Sequence, residues 1–313
     1  MASTETAVPK ATPDTTPDTT PDAAPDQVAD LAGVEAGLDA LDAIQVRRTP
    51  FSQLLREKVL PPLAAVALVL AVWQGVYAAG VLPSYKFPGP GGVWASFTDL
   101  WYRGETLSVI WTSVSRGLFG FLVSLAVGTP VGLLVARVRP LRTAVGPILS
   151  GLQSLPSVAW VPAAVIWLGI NGSALYAVIL LGAVPSIANG LISGIDQVPR
   201  LYLQAGRTMG ATGLRGTRHV LLPAALPGYL AGLKQGWAFS WRSLMAAELI
   251  ASSPDLGLGL GQLLENGRVA SDMARVELAI LLILAVGVVI DLLVFSPIER
   301  RVLRGRGLLT AAR

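Results

Sequence analysis

Residues 143–195, TAVGPILSGLQSLPSVAWVPAAVIWLGINGSALYAVILLGAVPSIANGLISGI, run for 53 positions without a charged side chain. A helix needs about 20 apolar residues to cross a membrane, so this stretch is too long for one span. Asn171-Gly172-Ser173 lies near its middle and has the composition of a tight polar turn. The stretch therefore predicts two membrane helices, at about 146–168 and 174–194.

The regions on either side of this stretch contain four more apolar runs, at 63–82, 108–136, 228–250 and 277–297. The sequence therefore predicts an all-α membrane protein with six transmembrane helices. Only 14% of the 313 residues are charged and 52% are apolar, whereas soluble domains carry about 25% charge. No cysteine and a single histidine exclude thiolate chemistry and make a metal site improbable. We expect no catalytic residues and no metal ligands.

The distribution of basic residues predicts the orientation of these helices. With the N-terminus inside, the inner segments hold 16 Lys and Arg residues and the outer segments hold four. The first apolar run starts near residue 59, whereas a signal peptide carries its apolar core within about the first 15–30 residues. We therefore expect no cleaved leader, a location in the cell membrane, and two cytoplasmic termini.

The net charge of +4 divides unevenly along the chain. Residues 1–46 hold nine acids and one base, and Pro-Asp repeats there with a period of four. Such a composition predicts a disordered acidic tail. Leucine and valine at helical spacing over 31–41 add a short amphipathic helix, either solvent-exposed or docking on a cytoplasmic partner. We therefore divide the chain into this tail and a transmembrane domain at 47–313.

The connection between the fourth and fifth predicted membrane helices, at about 196–227, is the longest cytoplasmic loop. Residues 201–209 are compatible with a helix, and Gly210 and Gly213 interrupt the pattern before His219-Val220-Leu221-Leu222-Pro223 leads back to the membrane. The loop therefore predicts a short helix, a glycine turn and a second short helix. This arrangement would form a compact projection below the bilayer.

The loop resembles the EAA loop of ABC importer permeases. Gln204-Ala205-Gly206, three residues, Gly210, nine residues and Val220-Leu221-Leu222-Pro223 repeat the spacing of Glu-Ala-Ala, three residues, Gly, nine residues and Ile-x-Leu-Pro. Two letters depart from that pattern, since Gln204 replaces the glutamate and Gly206 replaces the second alanine.

The resemblance extends over about residues 60–305. Within it, Leu155-Pro156, Trp160-Val161-Pro162, Trp167-Leu168-Gly169-Ile170 and Trp241-Arg242-Ser243-Leu244-Met245-Ala246-Ala247-Glu248 look like the branch that imports nitrate, sulfonates and taurine. The similarity is closest to aliphatic sulfonate permeases.

This resemblance implies a type I ABC importer permease bundle that is not itself catalytic. The implied partners are two ATPase subunits, an extracytoplasmic substrate-binding protein, a second permease copy in a homodimer, and membrane lipid, with no nucleic acid. ATP and Mg would bind to the ATPase, and this chain, which has no Walker A motif, would bind no cofactor. The resemblance implies coupling to the ATPase through Gln204, Ala205, Gly206, Arg207, Met209, Gly210, Ala211, Gly213 and Leu214. The implied cargo is an aliphatic sulfonate, with nitrate, taurine or a thiamine-precursor-like substrate as alternatives.

Three charged side chains lie within the predicted fifth membrane helix, namely Lys234, Arg242 and Glu248. Lys234 is close enough to the inner surface to snorkel. Arg242 lies about 21 Å into the helix, where its guanidinium could bind an anion through two hydrogen bonds. Our candidates for the substrate path are Arg242, Trp241, Trp237, Ser243 and Glu248. The alternative is a structural pairing of Arg242 with Glu248 or with a backbone carbonyl.

A stand-alone secondary transporter is the alternative from another class. It would need intramembrane ion sites or broken helices in repeated halves. The two halves of this chain show no evident inverted repeat, and acidic residues within the apolar runs are few.

Overall fold

The computed structural model describes residues 60–251 and 257–306. The acidic tail and the amphipathic helix predicted at 1–46 lie outside the described residues. The chain divides into two compact units, 1–67 and 68–313. The described part of the first unit, 60–67, consists of the first turns of helix α1, which spans Leu60–Ala78.

Every regular element in the described ranges is helical, which confirms the predicted all-α class. The helices that follow α1 are α2 (Pro90–Tyr102), α3 (Thr106–Arg137), α4 (Arg139–Ser154), α5 (Val161–Leu168), α6 (Gly172–Asp196), α7 (Arg200–Thr208), α8 (Gly213–Gly216), α9 (Leu222–Ile250), α10 (Leu260–Val269), α11 (Met273–Ile290) and α12 (Ser296–Arg304). Short turns of tighter or wider helix at 157–160, 217–221 and 291–295 join neighbouring helices.

Four helical segments are long and apolar enough to cross a membrane, namely α1, α3, α6 and the run from Met273 to Arg304 that contains α11 and α12. The bent pair formed by α4 and the helical segment 157–168 could provide a fifth. Helix α9 has 29 residues, about 43 Å at 1.5 Å per residue, but it is not among these apolar helices. Six spans therefore stay a prediction.

The helix predicted at 146–168 is wrong as one continuous helix, although the bent pair could still form one span. Helix α4 ends at Ser154, and the helical segment after it is turned by 100°. Leu155 and Pro156 are extended, with ψ angles of 131° and 125°. The Pro156 ring clashes with a helical conformation of Leu155, so the chain changes direction at this point.

The polar turn predicted at Asn171 is confirmed. Asn171 is the N-cap of α6, and its side-chain oxygen accepts hydrogen bonds from the backbone N–H groups of Ser173 at 3.0 Å and Ala174 at 3.3 Å. These bonds satisfy donors that the first helical turn leaves free. Gly169, with φ of +81°, completes the reversal because this left-handed conformation favours glycine.

Helix α6 forms the centre of the described core, where it packs against α3 and α9. A Cβ atom added to Gly190 would overlap the backbone of Gly232, and one added to Gly194 would lie 2.8 Å from Ala225 O. Gly228 meets Gly194 in the same way. Small residues four positions apart on both helices let the two backbones touch, as in other membrane helix pairs. The α6–α9 contact is therefore a backbone-to-backbone crossing.

Candidate functional site

The loop between α6 and α9 is folded as the sequence predicts. Helix α7 ends at Thr208, and the chain reverses through residues 209–212 into the one-turn helix α8. Gly210 has a φ of +81° and Gly213 a φ of +56°, both in the left-handed region. Without a break, α8 leads through the wide turn 217–221 into α9. The predicted helix, glycine turn and second helix are confirmed.

This loop packs on itself. Gly206, the one buried residue of α7, faces Val220, and a Cβ atom added to Gly206 would lie 2.9 Å from Val220 Cγ2. The Ala211 N–H donates to Gly206 O at 2.8 Å and closes the reversal. Beneath these contacts a small apolar cluster forms around Val198, Leu221 and Ala225. The loop is therefore a packed projection, which we call the knob (residues 197–221).

Two arginines connect the knob and its base to neighbouring helices. Arg137, at the end of α3, donates a hydrogen bond to the Thr217 hydroxyl. Arg142 of α4 forms an ion pair with Asp196, the last residue of α6, with its Nη1 donating to Oδ1 at 2.9 Å. The knob is thus held at both ends by side chains of other helices.

The outer face of the knob carries apolar side chains that nothing in the described protein covers. Met209 and Leu214 are each 86% exposed, and Leu201 and Tyr202 are also exposed. Of the nine predicted coupling residues, only Gly206 is buried and Ala211 half-buried, while the others are at the surface. The sequence prediction therefore selected surface residues of one projection, and their contact with an ATPase stays a prediction.

At the opposite end of α9, Glu248 lies in a buried polar cluster. Its carboxylate accepts hydrogen bonds from Ser113 Oγ at 2.7 Å, Arg116 Nη1 at 3.0 Å and the Gly261 N–H at 3.0 Å. The Glu248 side chain is fully buried and the Arg116 side chain is 14% exposed. Ser113 also accepts a hydrogen bond from the Leu260 N–H at 2.8 Å. The cluster joins α3, α9 and the start of α10.

Glycines let α10 approach this carboxylate. A Cβ atom at Gly259 would lie 2.5 Å from Glu248 Oε2, and one at Gly261 would lie 2.6 Å from Glu248 Cβ. No larger residue fits at either position without a shift of the backbone or of the carboxylate. Because its charge is matched by Arg116 and its oxygens are bonded, Glu248 is suited to a fixed structural contact.

The other predicted path residues separate into two groups. Trp237 and Trp241 are stacked with ring centroids 6.0 Å apart and are buried in the core, where Phe121 meets Trp237 edge-on at 5.6 Å. Arg242 instead points to the exposed side of α9, where its Nε donates to Ala238 O at 3.0 Å and its guanidinium lies 4.6 Å from the Phe239 ring centre.

The partner of Arg242 is therefore a backbone carbonyl, one of the alternatives left open by the sequence. Ser243 is fully buried beside Gly182 on α6. Neither observation tests a role in the substrate path, which stays a prediction for all five residues.

Lys234 forms an ion pair with Asp291 of the helical run 273–304, with Nζ 2.8 Å from Oδ1. Both side chains are close to 40% exposed. This ion pair joins α9 to the helical run 273–304. Within residues 60–251 and 257–306, no group of three or more acidic or histidine side chains could hold a metal ion.

The knob and α9 lie within a part of the chain that is similar to a known protein family. The family described as "Binding-protein-dependent transport system inner membrane component" matches residues 128–302, more than half of the chain. The chain belongs to this family. Helices α6 and α9 and the knob lie within the matched range.

Individual relatives match over a longer part of the chain than the family model does. The chain is 28% identical over 240 residues to an aliphatic sulfonates transport permease protein, SsuC, of Bacillus subtilis, covering 77% of this chain and 85% of that protein. It is 27% identical over 252 residues to the taurine transport system permease protein TauC of Escherichia coli, covering 78% and 90%.

A solved structure supports the fold. A chain of the MetNI methionine ABC transporter, in an inward-facing conformation, matches with a TM-score of 0.54 at 24% identity over 63% of this chain and 95% of that chain. Over that part of the chain, the all-α arrangement described above is therefore a fold shared with this ABC transporter chain.

Sequence reasoning missed the Arg116–Glu248 pair and the hydroxyl of Ser113. Both charges are visible in apolar runs, and opposite charges buried in a membrane protein usually pair. The two residues are 132 positions apart, however, so spacing along one helix could not match them. Arg242, six positions from Glu248, was the nearer candidate on the same helix.

Proposed function

We propose that this permease subunit couples ATP hydrolysis by partner subunits to the import of a small anion, most of all an aliphatic sulfonate. One observation carries the proposal, namely a self-packed knob that exposes Met209 and Leu214 and continues directly into α9. Exposed apolar side chains on a rigid projection are typical of a surface that binds a partner. Two ATPase subunits, a substrate-binding protein and a second permease copy would complete the importer.

The knob would act as a lever on the membrane helices. Residues 213–250 form one nearly continuous helical path from α8 to the end of α9, and α9 touches α6 along its backbone. A displacement imposed at Leu214 would therefore move α9, because packed helices transmit displacement as rigid bodies. In this scheme ATP-driven movement of the knob switches the pathway between inward and outward access.

The proposed topology has six membrane spans with both termini in the cytoplasm. Helix α9 is the proposed span that apolar composition alone does not identify. The free-energy cost of placing its charged side chains in the membrane is reduced, because Glu248 pairs with Arg116 and Lys234 pairs with Asp291. The excess of 16 basic residues over four supports placing the knob on the cytoplasmic side.

The cargo is proposed from the family branch. Relatives of this chain are named as permeases for aliphatic sulfonates, taurine and nitrate, all small molecules with a negatively charged group of three oxygen atoms. Nitrate, taurine and a thiamine-precursor-like substrate are the alternatives to an aliphatic sulfonate. Deletion of the permease, followed by growth on alkanesulfonate, taurine or sulfate as sulfur source and on nitrate as nitrogen source, distinguishes them. Unimpaired growth on alkanesulfonates would exclude the preferred cargo.

The coupling role is tested at Gly210. Gly210→Trp places a large ring on the turn of the knob, and we expect ATP hydrolysis to continue while uptake falls. Gly104→Trp is the matched control, because Gly104 also has a positive φ, +71°, and open space around it. Equal uptake by the two variants would contradict the coupling role. Uptake by the purified chain in liposomes without any ATPase would instead indicate a stand-alone secondary transporter.

A further inference from the structure

An open cavity of about 520 Å³, lined in part by polar side chains, lies between α4, α6 and α9, on the side of α6 nearer the knob. Its polar lining consists of Gln153, Ser186, Ser193, Gln197 and Gln235. None of the lining residues carries a charge. Helix α6 is otherwise one of the apolar helices able to cross a membrane, so polar side chains along it require a reason.

The cavity-lining residues in the C-terminal half of α6 share one face of the helix. Ser186, Gly190, Ser193 and Gln197 follow one another at intervals of four, three and four, which places them in a line about 16 Å long. Polar side chains within a membrane are costly and usually face a partner or a water-filled path. Here that face borders the cavity, and Gln235 borders it from α9.

The hydrogen bonding of this face leaves capacity for a ligand. Asn189 donates to Gln153 Oε1 at 2.8 Å, which leaves the Gln153 amide hydrogens as donors. Gln197 Nε2 donates to Ser193 Oγ at 3.2 Å. Ser186 is only 1% exposed, and its hydroxyl has no hydrogen-bond partner among the residues that the structure describes. A buried hydroxyl without a partner is uncommon, and because this one borders the cavity, it could donate a hydrogen bond to a bound polar group.

The cavity continues towards the knob. A second cavity, of about 650 Å³, shares Gln197, Pro227 and Gly228 with the first and extends to Tyr202 of α7 and to Arg306. The two cavities therefore adjoin at these residues, and together they extend from the middle of α6 to the base of the knob; we call them the groove. In the proposed topology this groove opens on the cytoplasmic side.

The absence of charge in the lining of the first cavity suits passage better than storage, and Arg306 borders only the second cavity, at the base of the knob. A buried cation holds a small anion strongly, and a transport path must also release it. Lys234, next to Gln235 on α9, is already paired with Asp291. Amide and hydroxyl donors bond the oxygens of an anion without a full counter-charge, so each contact is weak enough to be exchanged.

We propose that this groove is the inner part of the substrate path, where neutral amide and hydroxyl donors contact the oxygen atoms of a small oxyanion. The inference rests on the proposed function and identifies the residues that contact the substrate in the cytoplasmic half of its path. The side chains that touch the substrate are those of Gln153, Ser186, Ser193 and Gln235.

The absence of cysteine from the chain allows a direct test. Ser193→Cys or Gln235→Cys, assembled with its partners, carries the only thiol of the permease. During ATP-driven turnover we expect a negatively charged methanethiosulfonate reagent to modify either thiol, and saturating substrate to slow that modification at least fivefold. Thr143→Cys, on the exposed surface of α4 and outside the knob, should react at a rate that substrate does not change. Leu122→Cys, on an exposed apolar face of α3, should not react with the charged reagent.

A charge test provides the functional readout. Gln235→Glu and Ser193→Asp place a negative charge in the groove, and we expect anion uptake to fall at least about tenfold through like-charge repulsion. Gln235→Asn and Ser193→Thr, which keep neutral donors, should retain uptake. Gln74→Glu, on the exposed surface of α1, controls for adding a carboxylate to a membrane helix.

The two proposals fail in different ways. If the unmodified complex shows no ATP-dependent uptake of any oxyanion, the proposed function is wrong. If the unmodified complex transports but the groove thiols are unreactive, or substrate leaves their rates unchanged, the groove is not the path. Undiminished uptake by Gln235→Glu and Ser193→Asp would overturn the groove assignment in the same way.

Discussion

The two ends of helix α9 are built in opposite ways. At its start the chain emerges from the knob, whose outer face leaves Met209 and Leu214 uncovered. At its other end Glu248 is fully buried, with Ser113, Arg116 and a backbone N–H of α10 bonded to its carboxylate. One end is an open apolar surface and the other is a closed polar contact.

The difference indicates which end receives a signal and which end holds the helix. Breaking a buried charge pair strands the remaining charge, so such a contact resists rearrangement. An exposed apolar surface loses no internal contact when a partner binds or leaves. A lever that is fixed at one end and bound at the other transmits movement along its length, as the proposed coupling requires.

The largest expected effect concerns the closed end. Glu248→Gln keeps the shape of the side chain but leaves Arg116 without its counter-charge, and we expect a loss of about 3–5 kcal/mol of stability. The thermal midpoint of the purified complex measures this loss. The double variant with Arg116→Met should recover most of it, because no buried charge then remains unpaired.

Glu265→Gln is the control for that experiment. Glu265 pairs with Arg268 at 2.5 Å, but the Arg268 side chain is 67% exposed, so removing this pair should leave the midpoint unchanged. Equal midpoints for Glu248→Gln and Glu265→Gln would remove the distinction between the two ends of α9.

A smaller effect on stability and a large one on assembly are expected at the open end. Leu214→Glu should leave the thermal midpoint unchanged and weaken retention of the ATPase by at least about tenfold, since a central apolar contact contributes on the order of 2 kcal/mol. Co-purification of the ATPase with the permease measures the retention. Tyr102→Glu, at a position 87% exposed on α2, should retain the ATPase fully. Normal retention by Leu214→Glu would argue against the knob as the docking surface.

The smallest effect is expected inside the knob, at Gly206. Gly206→Ala restores the family letter but brings a methyl group to within 2.9 Å of Val220. Overpacking costs about 1–3 kcal/mol and the gain in helix propensity is at most about 1 kcal/mol, so a net loss of about 1 kcal/mol is expected. Adding Val220→Ala should reverse the loss. If Gly206→Ala were instead more stable than the unmodified protein, the residues around Val220 would rearrange more easily than their packing indicates.

Much of the fold was predictable because local chemistry determines it. The charge-free run at 143–195 predicted helices. Asn171 marked the start of α6, because an N-cap side chain bonds only to backbone N–H groups of the next three residues. Gly210 and Gly213 predicted the turn of the knob, since their positive φ angles favour glycine. The bend at Leu155-Pro156 was the failure, because apolar composition does not reveal how far a proline turns the chain.

The candidate site was predictable only in part. The nine coupling residues were selected by spacing along 20 consecutive positions, and the structure places them on one projection. The groove was not selected, because its polar residues come from three helices and each is unremarkable alone. Trp237 and Trp241 were chosen for their proximity to Arg242 in sequence, yet they lie in the core while Arg242 is exposed.

The sequence by itself determined that this chain is helical and apolar and that its basic residues are concentrated in the segments on one side of the membrane helices. It also determined a loop that turns at glycines and repeats the residue spacing of the family. Each of these properties arises from residues within a few turns of one another. Only the tertiary structure decided that Glu248 pairs with Arg116 and that Gly190 meets Gly232. These contacts depend on close packing between segments that are distant in sequence. A single added methyl group or an unpaired buried charge there would destabilise the fold.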